Sequence, residues 1–268
     1  MLGAIIGDMS GSRFEWDNIK TKNFELLSEE CFPTDDSIMT LAIAKTILEC
    51  NGDYAALEEK VIENMQLLGR RYPDAGYGAK FYEWLFEENP KPYRSFGNGA
   101  AMRVSPCGFA AGTMEEAIAL AKAVTKVTHN HREGMKAAEA VTVAIFMARS
   151  GKKLAEIREH IEKTYYKIDF TLDQIRPTYT FDVTCQGSVP QAFEAFFEST
   201  GFEDAIRNAV SIGGDSDTIA AITGSMAEAY YGIPSAIRER ARAFLDDNLI
   251  IIAGKFEKKF GQKKEASL

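Results

Sequence analysis

The 268-residue chain is poor in cysteine, histidine and positive charge, and each shortage removes a class of function. The four cysteines, Cys31, Cys50, Cys107 and Cys185, form no C-x-x-C pair. That spacing fits reduced thiols, not a disulfide framework or a zinc site, and predicts a cytoplasmic protein. Among the three histidines, His129 and His131 stand two residues apart, not at the i, i+4 spacing of a helical zinc site. Lysine and arginine total 31 against 39 aspartates and glutamates, for a net charge of −8. The lack of a basic field argues against nucleic acid as the main partner. Long apolar runs are missing too. The longest, residues 140–148, contains Thr142 and reads as a core helix, so no membrane span is expected. The first residues lack a basic segment and meet Gly7-Asp8 too early for a signal peptide.

Helix patterns dominate what is present. Segments 40–48, 57–68, 114–127, 134–149, 154–165, 189–197, 202–211, 219–231 and 235–248 are rich in Ala, Glu, Leu, Ile and Met and read as helices. Thr113 with Glu116 predicts a capping box, and Gly232 before Pro234 predicts a stop and restart. Residues 178–183 alternate weakly, residues 20–27 are ambiguous, and nothing alternates as βαβ units. These patterns predict one all-α domain over 1–254, with few or no strands. A basic tail, 255–268, follows, and its end is expected to be mobile.

Small residues recur in register. Gly3, Ala4, Gly7 and Gly11 form a smooth stripe on a helix, and Ala220, Ala221, Gly224, Ala227 and Ala229 mark a second segment. Such faces let two backbones approach closely.

Two acidic clusters each open onto an apolar helix: Thr34-Asp35-Asp36-Ser37 and Asp215-Ser216-Asp217-Thr218. Helix capping accounts for one side chain in each. A second carboxylate in each is surplus, and four brought together repel strongly unless a cation neutralises them. Hard oxygen donors suit Mg²⁺ or a similar ion. The second cluster lacks the glycine and terminal glutamate of an EF-hand loop. Segments 75–78 and 95–103 are glycine-interrupted, which permits backbone N–H groups to face an anion, yet neither is a Walker A or G-x-G-x-x-G motif. Phe96 is placed either to stack on a base or to pack in the core. His131 reads as a solvated surface residue, while His129 follows an apolar helix, at a position open to a polar ligand contact. Glu15, between Phe14 and Trp16, reads as a salt-bridge partner or as a carboxyl in a partly apolar setting.

Taken in order, these segments resemble the ADP-ribosylglycohydrolase family, of the dinitrogenase-reductase-activating and ADP-ribosylhydrolase type. The resemblance rests on Gly7-Asp8 with Gly11-Ser12 and Phe14-Glu15, Thr34-Asp35-Asp36-Ser37, Gly76-Tyr77-Gly78, Gly97-Asn98-Gly99 through Met102-Arg103, Thr128-His129, Gly213-Gly214-Asp215-x-Asp217-Thr218 and Tyr230-Tyr231-Gly232. It implies an all-α fold and a centre of two Mg²⁺ ions, or Mn²⁺, held by Thr34, Asp35, Asp36, Asp215, Asp217 and Thr218. Glu15 matches the family's catalytic glutamate on a mobile segment. Gly76, Tyr77, Gly78, Ser95, Phe96, Gly97, Asn98 and Gly99 match the segments that hold the diphosphate and adenosine. Phe96 corresponds to an adenine-stacking aromatic and His129 to a ligand-contacting histidine. The implied activity is hydrolysis at the ribose anomeric carbon of an ADP-ribose-bearing substrate, with nucleic acid relevant only as a modified substrate. No obligate protein partner is implied. The alternative is a non-catalytic ADP-ribose-binding module of the same fold. Glu228 and Arg13 depart from the family pattern, whereas the six metal positions are intact, unlike in inactive crystallin-like relatives.

Overall fold

The computed structural model describes residues 1–261. In chain order its helices are α1 Leu2–Ser12, α2 Asp35–Cys50, α3 Leu57–Arg71, α4 Ala79–Phe86, α5 Gly99–Met102, α6 Ser105–Ala110, α7 Met114–Lys126, α8 Arg132–Arg149, α9 Leu154–Thr164, α10 Leu172–Ile175, α11 Cys185–Phe197, α12 Phe202–Ser211, α13 Ser216–Tyr231, α14 Ser235–Arg242 and α15 Asp247–Phe260. No sheet forms among the described residues. The weakly alternating 178–183 segment is irregular, and the one isolated bridge pairs Gly97 with Thr184.

Every residue of α1 is buried. The small-residue stripe explains how. A Cβ on Gly3 would lie 2.2 Å from the Gly224 carbonyl oxygen, one on Gly7 2.0 Å from that of Ala220, and one on Gly11 2.5 Å from that of Ser216. These contacts descend α13 as they ascend α1, so the two helices are antiparallel and touch backbone to backbone. The C-terminal end of α1 therefore meets the N-terminal end of α13. At the opposite end, Glu228 accepts a hydrogen bond from the Gly3 N–H at 2.7 Å and pairs with the Met1 amino group. The charged residue at this departure from the family pattern thus has a local partner. Around this axis, α13 packs on α8, α11 and α12, and α2 packs on α1, α3 and α15.

Some boundaries differ from the sequence pattern. Residues 235–248 form two helices, α14 and α15, because Asp246 restarts the chain as an N-cap, accepting from the Leu249 N–H at 3.0 Å. Helix α15 runs through position 254 with Leu249, Ile252, Ala253 and Phe256 buried, so residues 255–260 of the expected tail are helical. The expected mobile end, 262–268, lies outside the described residues. The Thr113 box forms by half. Thr113 accepts from Glu116 N–H at 3.1 Å, but the Glu116 carboxylate reaches the Gly112 N–H at 2.7 Å instead of that of Thr113. Helices α4, α5, α6 and α10 are too short for a periodic signal.

Candidate active site

Three helix ends converge to form the site: the C-terminal half of α1 and the N-termini of α2 and α13. Asp8 of α1 organises the first junction. Its Oδ2 accepts from the backbone N–H groups of Thr34 at 2.9 Å and Ser37 at 3.0 Å and from the Ser37 hydroxyl, while Oδ1 accepts from the Thr34 hydroxyl at 2.7 Å. Thr34 caps α2, accepting from the Asp36 N–H at 3.3 Å. The second junction is made by Thr218, whose hydroxyl donates to Asp36 Oδ2 at 3.1 Å. Asp215 holds the N-cap position of α13 but makes no side-chain cap bond. It accepts instead from Asn98 Nδ2 at 2.7 Å.

The carboxylates form two overlapping groups. Oxygens of Asp8, Asp36 and Asp217 lie within 4.8 Å of one another, as do those of Glu15, Asp215 and Asp217. Asp217 belongs to both groups, and Asp35 belongs to neither. Asp35 is half-buried beside the Gly76 turn, where a Cβ on Gly76 would stand 3.9 Å from its Oδ1. Burial, and then neighbouring negative charge, pushes Asp36 and Asp217 well above the usual carboxylate range. Asp35 rises to about 8 through burial reinforced by Asp8 and Asp215. Glu15 rises to about 7 through burial and then Asp215. Burial takes Asp8 to about 6, restrained by its hydrogen bonds from Ser37 and Thr34. Asp36 Oδ1 is buried with no hydrogen-bond partner. Mutually repelling oxygen donors, one of them orphaned, at two positive helix ends suit a divalent cation.

The segment carrying Glu15 is tied at both sides. Before it, Arg13 donates to the Glu25 carbonyl at 2.6 Å and to the Ser28 hydroxyl, pairs with Glu30 at 3.2 Å, and lies 4.5 Å over the Phe14 ring. Arg13 thus anchors the segment from outside the cleft wall. After it, the Asn18 amide grips Gly214 at two points, accepting from its N–H at 2.7 Å and donating to its carbonyl at 3.0 Å. The same Asn18 nitrogen reaches the carbonyls of Phe14 at 2.6 Å and Glu15 at 3.0 Å. Gly213 and Gly214 have φ of 68° and 75°, a left-handed turn that presents this backbone to Asn18.

Above the carboxylates opens a cleft of about 650 Å³. Glu15, Asp35, Asp36, Asp215, Asp217 and Thr218 line it, together with Gly76, Tyr77, Gly78, Ser95, Phe96, Gly97, Asn98, Gly99 and His129. Of the residues expected at the site, only Thr34 is absent from the wall. It is buried beneath it. Gly76 has φ of 94°, and the Asp35 N–H bonds the Ala75 carbonyl at 2.7 Å, joining the first glycine turn to α2. The second glycine loop is fixed by Gly97 N–H to Ser95 Oγ at 3.2 Å and Asn98 N–H to the Val183 carbonyl at 2.8 Å. Phe96 is 46% exposed, with its ring 5.4 Å from that of His131. His131 is no free surface residue. It is half-buried and caps α8, accepting from the Glu133 N–H at 3.2 Å. At the rim, Trp16 is 80% exposed and stacks on Phe181, with ring centroids 4.9 Å apart.

Asp8, Trp16, Asn18, Arg103 and Phe181 are site components that the sequence did not single out for these roles. Asp8 carries a signal. A carboxylate within the otherwise small and apolar run Leu2–Ser12 must find partners when that helix is buried.

An all-α fold with a glycine-walled cleft floored by carboxylates from separate helix ends defines a class of small-ligand sites rather than a structural bundle. The family model for ADP-ribosylglycohydrolase matches residues 1–265, and the chain belongs to that family. It is 25% identical to ADP-ribosylhydrolase ARH3 of Xenopus tropicalis, over 87% of this chain and 86% of that protein. Against human ADP-ribosylhydrolase ARH3 it is 25% identical, over 83% and 78%. With ADP-ribosylarginine hydrolase Tri1 of Pseudomonas putida (strain GB-1) it shares 27%, over 87% and 70%. Among solved structures, a chain of an ADP-ribosylglycohydrolase-related protein complex matches with a TM-score of 0.72 at 23% identity, covering 97% of this chain and 96% of that one, a likeness of fold.

Proposed function

We propose that this protein hydrolyses the bond between the ribose anomeric carbon of ADP-ribose and an attached group, releasing ADP-ribose. The observation that carries this reading is the meeting of Glu15, Asp215 and Asp217 oxygens within 4.8 Å at the floor of a cleft large enough for a nucleotide. Thr34, Asp35, Asp36, Asp215, Asp217 and Thr218 would hold two Mg²⁺ or Mn²⁺ ions. Bound there, such ions would supply positive charge and coordination sites for sugar hydroxyls and water.

The chain's own groups account for the remaining work. Before a cation neutralises Asp215, burial and then that carboxylate hold Glu15 at about 7, and its side chain lines the cleft beside Asp215 and Asp217. Glu15 therefore serves in proton transfer to the leaving group or from water. The glycine turns let backbone approach a diphosphate closely, and Phe96 offers a face to the adenine. The cleft is also polarised. Carboxylates crowd one part of it, while Arg103, fully buried and still a cation at neutral pH with its guanidinium pulled down to about 10 by burial, lies under another. That asymmetry orients an anionic diphosphate away from the acidic floor and sets the ribose over it. Carboxylates around the anomeric carbon favour the positive charge that develops there as the bond breaks.

The names of the relatives support an ADP-ribosylated substrate, with arginine linkage a specific candidate from the Pseudomonas protein. The test is incubation with ADP-ribosyl-arginine and ADP-ribosyl-serine peptides and O-acetyl-ADP-ribose, in Mg²⁺ and in EDTA, with free ADP-ribose measured. Mg²⁺-dependent release from one substrate is expected and names the leaving group. Tight ADP-ribose binding without release from any would replace the hydrolase with a binding module.

A further inference from the structure

Beneath the second glycine loop, Arg103, Thr128 and His129 form a short chain of buried polar groups. Arg103 is 1% exposed and has no carboxylate partner among the described residues. Its Nη2 donates to Thr128 Oγ1 at 2.6 Å and stands 3.4 Å from His129 Nδ1. Thr128 Oγ1 is 2.7 Å from that same Nδ1. A guanidinium has donors and no acceptor. The Thr128 oxygen therefore accepts from Arg103, which frees its own hydrogen for His129 Nδ1. An Nδ1 hydrogen would point at the Arg103 N–H, whereas a bare Nδ1 can accept from both neighbours, which favours Nδ1 as the acceptor nitrogen. Burial, with the Arg103 charge beside it, holds the imidazole well below its usual range, so it is neutral near pH 7. A neutral ring whose Nδ1 accepts carries its hydrogen on Nε2.

That nitrogen faces the glycine loop. A Cβ on Gly99 would lie 3.4 Å from His129 Nε2, and one on Gly97 3.7 Å. Glycine at both positions leaves Nε2 uncovered, and it has no hydrogen-bond partner among the described residues. We infer that Arg103 and Thr128 lock His129 in the Nε2–H tautomer, so that the ligand contact expected of this histidine is made by a fixed, neutral hydrogen-bond donor facing the 97–99 loop. Arg103 and Thr128 are positioning residues in this arrangement, and His129 is the contact. The tautomer rests on the Arg103–Thr128–His129 contacts and on the burial of the ring; the ligand it serves rests on the proposed function. A donor that cannot become an acceptor recognises phosphate or carbonyl-type oxygens and leaves a group without a lone pair unmatched.

Side-chain nitrogen NMR reads this directly, since only three histidines need assignment. In the ligand-free protein near pH 7, His129 should show a protonated Nε2 and a bare Nδ1. A protonated Nδ1, or a doubly protonated ring, overturns the lock. In Arg103→Met, which removes a buried cation and keeps the bulk, the Nδ1–H form should appear and ADP-ribose affinity should fall about tenfold. An unchanged tautomer in that variant also overturns the relay. Thr128→Ser, which keeps the hydroxyl, should keep the Nε2–H form, and Thr128→Val, which removes it, should lose that form. Saturating ADP-ribose should shift the Nε2 resonance, and binding without such a shift removes the donor role. No ADP-ribose binding at all defeats the proposed function, while the ligand-free spectrum still decides the tautomer.

Discussion

The Thr218 hydroxyl donates to Asp36 Oδ2 at 3.1 Å, closing 182 residues of chain into one contact. The other oxygen of the same carboxylate is buried and without a partner. One side of Asp36 is thus fixed by the fold, and the other is left for something the protein chain does not supply. The neighbouring Asp217, which belongs to both carboxylate groups, is the position most exposed to that requirement.

Asp217→Ala removes the carboxylate common to the two groups. Turnover should fall by about a thousandfold or more, in keeping with the loss of a charge-stabilising centre. The far-ultraviolet circular dichroism should stay helical, and the rise in melting temperature with Mg²⁺ should be lost. Wild-type activity in this variant removes the metal from the proposal.

Metal should stabilise the protein in a pH-dependent way. Asp8, Glu15 and Asp35 are raised to about 6, 7 and 8, so the folded state keeps protons that the unfolded chain has already lost. Stability of the metal-free protein should therefore fall as pH rises from about 4 to 8. Mg²⁺ replaces those protons, so its effect on melting temperature should grow over the same interval. Melts in EDTA and in low-millimolar Mg²⁺ at several pH values check both slopes, and a Mg²⁺ effect independent of pH contradicts the assignment.

Glu15→Gln keeps shape and loses the transferable proton. A loss of about 10²- to 10⁴-fold in turnover is expected. ADP-ribose affinity should survive, and the Mg²⁺ melting shift should persist with a weaker dependence on pH. Turnover within a few-fold of wild type would show that another group moves the proton.

Asn18→Ala cuts the two-point grip on Gly214 while leaving every lining carboxylate in place. With the Glu15 segment loosened, kcat should drop about ten- to a hundredfold with little change in the Mg²⁺ effect on melting. An unaltered kcat would mean that the Arg13 anchor alone positions Glu15.

Gly7→Ala tests the helix contact. The added carbon would stand 2.0 Å from the Ala220 carbonyl, where backbone cannot give way, and a loss of about 3 kcal/mol in urea unfolding is expected. Gly254 in α15 has nothing within 4 Å of an added Cβ, so Gly254→Ala should stabilise instead, by about 0.5–1 kcal/mol. Equal effects at the two sites would refute the close-approach argument.

The all-α class and most long helices are legible in the sequence because periodic apolar residues report burial directly. The stripe Gly3, Gly7, Gly11 is legible for the same reason, and it places the ends of α1 and α13 together. The paired acidic runs can be read as a ligand set because their surplus charge has no local use. Short helices such as α5 are not legible, since four residues cannot show a period. Neither is Asn18, whose partners are backbone atoms 196 residues away. The bond from Asn98 to Asp215 and the cap made by His131 depend likewise on three-dimensional neighbours, not on residue type.

The α1–α13 contact also governs how the molecule comes into being. Helix α1 leaves the ribosome long before α13, apolar on nearly every side, and its glycine face lacks its α13 cover until residues 216–224 have been synthesised. Asp8 can settle Thr34 and Ser37 early, but Asp217 and Thr218 arrive only after most of the chain. During translation the protein is thus a partly collapsed chain with an uncovered first helix, a state in which slow non-local closure and aggregation compete. A chain stalled before α13 would lack its central packing partner and half of its acidic floor at once, so incomplete products should be removed by quality control rather than persist as weakened hydrolases.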